Sequence, residues 1–173
     1  LHVRSRRQRQ MCIRDRIKRL DEAGVAPEQR AGVLIKASIL EKEVNLDKYY
    51  AQVARVIENR LQDNPDTHGF LQMDSTVVYG LGRSGGIPSG EDLKQDTPYN
   101  TYKHKGLPPT AIGTVGQKAL QAAVKPAEGK WLYFTTVNLD SGETKFALTL
   151  DEQKKNVEEL KQWCQQNQGK CKR

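Results

Sequence analysis

Two glutamates close an apolar helical run, Glu41 and Glu43 in Ile39-Leu40-Glu41-Lys42-Glu43-Val44. They matter because the other familiar signatures of catalysis are missing. The chain has no GxxxxGK(S/T) phosphate loop, no GxGxxG after a strand, no HExxH and no GxSxG. Its three histidines, His2, His68 and His104, are scattered, and nothing in their spacing points to a Ser-His-Asp site. Carboxyl groups are then the remaining acid/base candidates. At ~100° per residue, Glu41 and Glu43 fall about 80° to either side of the stripe Val33, Ala37, Leu40 and Val44. Either could sit half-buried, with its pKa raised into the range a general acid needs. The negative end of the helix dipole adds to that effect. Two solvated surface glutamates are the plainer reading, and helical geometry does not choose between them.

The elements that would position these groups read as follows. Helical periodicity covers Glu28 to about Val44, with Pro27 at a tolerated first-turn position. Asn45 breaks the run and is expected to cap a second helix, about Leu46 to Leu61, which Asn64-Pro65-Asp66 ends. Leu71 to Leu81 reads as a short helix, and the Gly/Ser-rich stretch Gly82 to Gly90 as a surface loop. Ser89 is a candidate N-cap for a short helix, Gly90 to Lys94. Thr97 to Thr114 is irregular and rich in Pro and Gly, the kind of long loop that usually binds or covers a ligand. A helix from Gly116 to Val124 follows, stopped by Pro126. A hairpin comes next, with strands Trp131 to Val137 and Glu143 to Leu148 around Asp140-Ser141-Gly142, and then a polar helix from Leu150 to about Gln168. The fold class is α+β: a mainly helical body with one small β-hairpin.

The chain has 173 residues, and its net charge of +7 would ordinarily suggest an anionic partner. That charge is local. Residues 1–20 hold Arg4, Arg6, Arg7, Arg9, Arg14, Arg16, Lys18 and Arg19 against Asp15 alone, while the remaining residues carry equal numbers of basic and acidic side chains. A nucleic-acid partner would rest on this segment only, so none is expected. Residues 1–16 lack helical or strand periodicity and read as a non-native or disordered basic tail, with a genuine basic arm as the alternative; residues 17–173 form the domain. No run approaches the ~18 apolar residues of a membrane span, and no signal-peptide core is visible. Cys12 lies in the basic tail, whereas Cys164 and Cys171 stand seven residues apart, open to a disulfide or to two free thiols. Their spacing does not suggest a metal site.

Six motifs alter the weight given to the glutamates. ASILEKE (Ala37 to Glu43), ARVIENRL (Ala54 to Leu61), LQMDSTVVYGLG (Leu71 to Gly82), DTPYNTY (Asp96 to Tyr102), GLPPTAIG (Gly106 to Gly113) and WLYF (Trp131 to Phe134) follow one another over most of the chain. In this order they resemble the MltG (YceG-like) endolytic murein transglycosylases. WCQQNQGKC and VNLDSGETKFA are similar to the actinobacterial members. The resemblance implies a lysozyme-like, lytic-transglycosylase-like catalytic domain. Its catalytic residue would be Glu43; Glu41, Gln72, Asp74, Tyr99, Asn100 and Tyr102 would serve as supporting or substrate-facing residues. Gln72 and Asn100 could equally bond loop backbone, and Tyr99 and Tyr102 could equally pack a core. Departures are visible: Ser75 stands where Pro is common, Thr110 where Gly is common, and Gln153 and Thr144 at or near positions where members carry His.

The implied reaction needs one carboxylic acid, first as acid and then as base, and leaves a 1,6-anhydro-MurNAc end without consuming water. No cofactor or metal is implied. The partners implied are peptidoglycan glycan strands and the machinery that synthesises them. A membrane would enter only through an N-terminal anchor, which this chain lacks together with a LysM-like region; the full protein would act outside the cytoplasmic membrane, and the chain as given is expected to be soluble. Two alternatives stay open: a muramidase-type hydrolase with Asp74 or Glu41 as second carboxylate, and a non-catalytic peptidoglycan-binding fragment.

Overall fold

The computed structural model describes residues 16–62, 64–167 and 170–171. The reading of residues 1–16 as a tail therefore falls almost wholly outside the described residues, as does Cys12. The elements are α1 (16–22), α2 (Arg30–Glu43), α3 (Tyr50–Leu61), α4 (Asp74–Gly80), α5 (Gly90–Lys94), α6 (Gln117–Val124), β1 (Tyr133–Asn138), β2 (Glu143–Ala147) and α7 (Leu150–Gln166). Helices dominate, and the strands form one antiparallel hairpin, as the α+β reading has it.

α2 is the spine. It packs against α3, α4 and α6, so burial extends past the stripe of Val33, Ala37 and Leu40 to Ile35, Ser38 and Ile39. The wider burial forces one polar solution. Ser38 donates its hydroxyl to the Ile35 carbonyl (2.7 Å) and accepts from the Ile112 N–H (2.9 Å), which ties the irregular 97–114 segment to the middle of the spine. The Pro27–Gln29 turn is a 3-10 lead-in to α2, where a proline's missing donor does no harm.

Two local expectations change. Asn45 is exposed and caps nothing. Leu46, in extended backbone, takes the boundary of a 3-10 turn (Asp47–Tyr49) that leads into α3. The helix expected from Leu71 begins only at Asp74. Gln72 sits at φ 53°, its N–H donates to the Thr101 carbonyl (3.1 Å), and the Met73 N–H donates to Thr101 Oγ1 (2.9 Å). This pairing with the loop wins over helical hydrogen bonding. Ser89 does cap α5, in a reciprocal capping box with Asp92. α7 packs over the hairpin, and the sulfurs of Cys164 and Cys171 are bonded to one another at its far end.

The 97–114 loop has no regular structure, yet it is pinned. Buried Asn100 donates to the carbonyls of Leu93 (3.0 Å) and Gln95 (2.7 Å) and accepts from the Tyr102 N–H (3.0 Å). The loop also lies hard against the end of α4. A Cβ at Gly80 would meet Thr97 Oγ1 at 2.5 Å and Tyr99 Cβ at 2.9 Å. Gly80→Ala is therefore expected to destabilise the fold by about 1–3 kcal/mol through overpacking, seen as a melting temperature lower by several degrees. An unchanged melting temperature would mean that the loop yields freely there.

Candidate active site

Glu43 is the last residue of α2, where the spine leaves the core and its side chain meets α4. Its Oε1 accepts the backbone N–H of Ser75 (3.0 Å). Protein atoms enclose the carboxyl although the residue keeps an open side. Burial pushes its pKa up from the ordinary carboxylate value. The Ser75 side chain and N–H oppose that shift, Asp74 adds to it by charge repulsion, and Arg60 opposes it by attraction. The Ser75 hydroxyl lies within electrostatic reach but completes no hydrogen bond.

Two hollows meet at this carboxyl. The larger, about 870 Å³, runs along Tyr79, Tyr99, Ile112 and the exposed glycine-rich loop from Gly82 to Ile87; the smaller, about 380 Å³, is lined by Arg60, Gln72, Tyr102, Tyr133 and Gln153. Glu43 and Asp74 line both. A separate hollow of about 760 Å³ between α1 and α6 lies elsewhere, lined by Lys18, Gln121 and Lys125 among others. Among the described residues, no group of three or more His, Cys, Asp or Glu side chains gathers in a way that could hold a metal.

Asp74 opens α4 and accepts the Tyr102 hydroxyl (2.6 Å). Desolvation first, and then that hydrogen bond and the charge of Asp74, raise the Tyr102 pKa far above its usual value, so the phenol stays a donor. Gln72 offers Oε1 to Arg60 Nη1 (3.3 Å) from its left-handed backbone position. That conformation is uncommon outside glycine and costs energy that its surroundings must offset. Tyr99 bonds the Thr110 hydroxyl (2.8 Å) and stacks edge-on against Tyr79, at 4.9 Å between ring centroids.

Of the residues expected here, Glu43, Gln72, Asp74, Tyr99 and Tyr102 line these hollows. Glu41 and Asn100 do not. Two residues before Glu43 on a helix, Glu41 emerges on the other edge of α2 and accepts the Gly116 N–H (3.0 Å) just ahead of α6, with Tyr50 beside it. Asn100 is wholly buried, and its amide is used up on loop backbone.

The sequence reading missed Arg60 and Tyr79, and it named Gln153 only as a departure at a position where family members carry His. Arg60 is buried on α3 and donates to the carbonyls of Leu132 (2.6 Å) and Leu71 (2.5 Å) as well as to Gln72, with its guanidinium over the Tyr133 ring. A signal was present: Arg60 stands seven residues from Val53 and three from Ile57, on the apolar face of its helix. Gln153 donates to Thr135 Oγ1 (2.7 Å) and the Phe134 carbonyl, while its buried Oε1 finds no partner.

A family model described as the YceG-like family matches residues 3–159. The endolytic murein transglycosylase of Bacillus subtilis is 36% identical over 126 residues, which is 73% of this chain and 33% of that protein. The enzyme of the same name from Streptococcus pneumoniae serotype 2 is 30% identical over 133 residues, covering 73% of this chain and 23% of its own length. The chain thus spans a third or less of these relatives. A yceG-like protein of Listeria monocytogenes, solved crystallographically, superposes with a TM-score of 0.69 at 35% identity, over 84% of this chain and 45% of that one.

Two outcomes follow from the charges at the site. A carboxyl whose folded pKa is raised stabilises the fold relative to its ionised form below the ordinary carboxylate range, and that contribution is lost as pH rises through the folded value. Glu43→Gln should therefore melt a few degrees higher than the native chain at neutral pH, and the gap should close in acid. A gap independent of pH would rule out this electrostatic origin. Arg60→Lys, which keeps the charge but cannot reach both carbonyls, should lose about 2–4 kcal/mol in denaturant unfolding. A loss near zero would show that one donor suffices.

Proposed function

The chain belongs to the YceG-like family, and on that premise we propose that it is the catalytic part of an endolytic murein transglycosylase. Its substrate is the glycan strand of peptidoglycan. The observation that carries this reading is a single enclosed carboxyl, with its pKa pushed up, standing between two hollows that share it. A groove that continues on both sides of the acid suits a cut inside a strand.

The chemistry follows from that carboxyl. Protonated Glu43 donates to the oxygen linking MurNAc to GlcNAc, and positive charge develops at the MurNAc C1. Ionised Glu43 then takes the proton of the C6 hydroxyl, which closes on C1 to give a 1,6-anhydro end. Atoms balance without water. Asp74, held by Tyr102, offers nearby negative charge while C1 is cationic. Gln72 faces sugar in the smaller hollow, and the Tyr79–Tyr99 pair offers an aromatic wall in the larger. Asp74 as a second catalytic carboxylate would instead give a hydrolase, but its Oδ1 is already engaged by the Tyr102 phenol. Among the described residues no helix is long and apolar enough to cross a membrane. The substrate lies outside the cytoplasmic membrane, and we place the activity there, on a full-length protein anchored in that membrane.

Purified glycan strands incubated with the chain should gain 1,6-anhydro-MurNAc ends at internal positions, read by mass spectrometry. Glu43→Gln should lower the rate by at least roughly a hundredfold. Reducing MurNAc ends would convict a hydrolase, and binding without cleavage would identify a binding fragment. Because the acid must start protonated, kcat/KM should fall as pH rises through the raised pKa of Glu43.

A further inference from the structure

Two of the side chains lining the larger hollow are cationic, Lys42 and Arg83. Arg83 is paired with Asp92 (2.6 Å). Lys42 is exposed, and among the described residues no carboxylate pairs with it. It immediately precedes Glu43, so the two side chains leave α2 about 100° apart. Glu43 lines both hollows, Lys42 only the larger. The lysine side chain passes close over Gly113 of the 97–114 loop, where an added Cβ would meet Lys42 Cε at 3.0 Å and Nζ at 4.0 Å. The missing Cβ leaves it that path. The charges that bear on the Glu43 carboxyl are those of Asp74 and Arg60, so Lys42 takes no part in tuning the acid. An ammonium on the wall of a substrate groove, with no anion of the protein beside it, is placed to attract a negative charge that arrives with the ligand.

The substrate's own chemistry says where that charge sits. On the MurNAc being cut, C4 carries the link to the preceding sugar and C2 carries the uncharged acetamido group. C1 and the C6 hydroxyl are consumed in closing the anhydro ring. What remains is the lactyl group on C3, which ends in its own carboxylate or carries a peptide that has carboxylates. The larger hollow, at about 870 Å³, has room for a sugar together with such a substituent. We propose that Lys42 is a specificity-determining residue that pairs with a carboxylate on the C3 lactyl substituent of the MurNAc being cut, and that the larger hollow receives this substituent. The pairing deepens the transglycosylase reading and rests on it. A lysine suits the task, because a point charge on a flexible stem follows a flexible substituent better than a planar fork does.

Four preparations of glycan strands separate the sources of the carboxylate: strands carrying their peptides, strands stripped of them by an amidase, and each of these after carbodiimide coupling to ammonia, which turns carboxylates into neutral amides. Lys42→Met should raise KM about fivefold, the worth of one half-exposed ion pair, on strands that keep their carboxylates. The ratio of the two proteins' KM values should return to near one on the amidated strands. Lys42→Arg should restore the low KM, and added salt should shrink the difference. A rise on peptide-bearing strands assigns the peptide carboxylate, and a rise on stripped strands the lactyl carboxylate. A KM indifferent to Lys42→Met on all four overturns the proposal. So does a rise that survives amidation, or a loss of kcat on every strand with a shifted pH limb, which is what a displaced Glu43 would give.

Binding of the same strands to Glu43→Gln protein, with and without Lys42→Met, is measured by calorimetry and needs no cleavage. Binding that depends on both Lys42 and the carboxylates, beside a native chain that leaves every strand intact, would defeat the transglycosylase reading and keep the pairing. Formation of 1,6-anhydro ends with no response to Lys42→Met would keep the activity and defeat the pairing.

Discussion

A buried guanidinium holds the site together. Arg60 is charged, lies inside the protein, and belongs to α3, yet its Nε and Nη1 donate to the carbonyls of Leu132 and Leu71 and to Gln72. Taking a cation out of water costs several kcal/mol unless its donors are satisfied. Arg60 offsets that cost with bonds to segments far apart in sequence. The segment before α4 and the lead-in to β1 are thereby fixed to the same helix, and the walls of the smaller hollow follow. The positive charge left facing the cleft then bears on Glu43 and Tyr102. Packing and electrostatics at this position are one fact.

Around Glu43 the contributions oppose each other instead of adding. Burial and Asp74 favour the neutral acid, while Ser75 and Arg60 favour the carboxylate. A group that must give a proton and then take one back works best when neither form is strongly preferred. Burial leads in this balance, which leaves the acid protonated to higher pH than a surface glutamate.

The sequence showed some of this clearly and some of it not at all. The helical run of the spine, the capping Ser89 and the hairpin follow from local pattern, because each is decided by neighbours a few residues apart. Glu43 was singled out by type and by motif resemblance, and helical phase alone could not separate it from Glu41; what separates them is which distant backbone N–H each one meets, Ser75 or Gly116. Helix α4 started late because Thr101, far along the chain, claims the N–H groups of Gln72 and Met73. Asn100 was expected near the substrate on motif resemblance alone, with loop backbone as the open alternative; its partners are loop carbonyls that no spacing rule reveals. Arg60 broke the apolar face of its helix, a local irregularity with a distant cause.

The two glutamates at the end of α2 have a bearing on chain length. Glu41 reaches the start of α6, Glu43 reaches the start of α4, and both depart from the same final turn. One residue inserted or deleted inside α2 would turn that end by ~100° and swing both carboxylates off their amides together. The same change in the loop before Pro27 would leave their phase untouched. Insertions and deletions should therefore be admissible ahead of the spine and barred within it, which makes α2 a segment of fixed count as well as fixed composition.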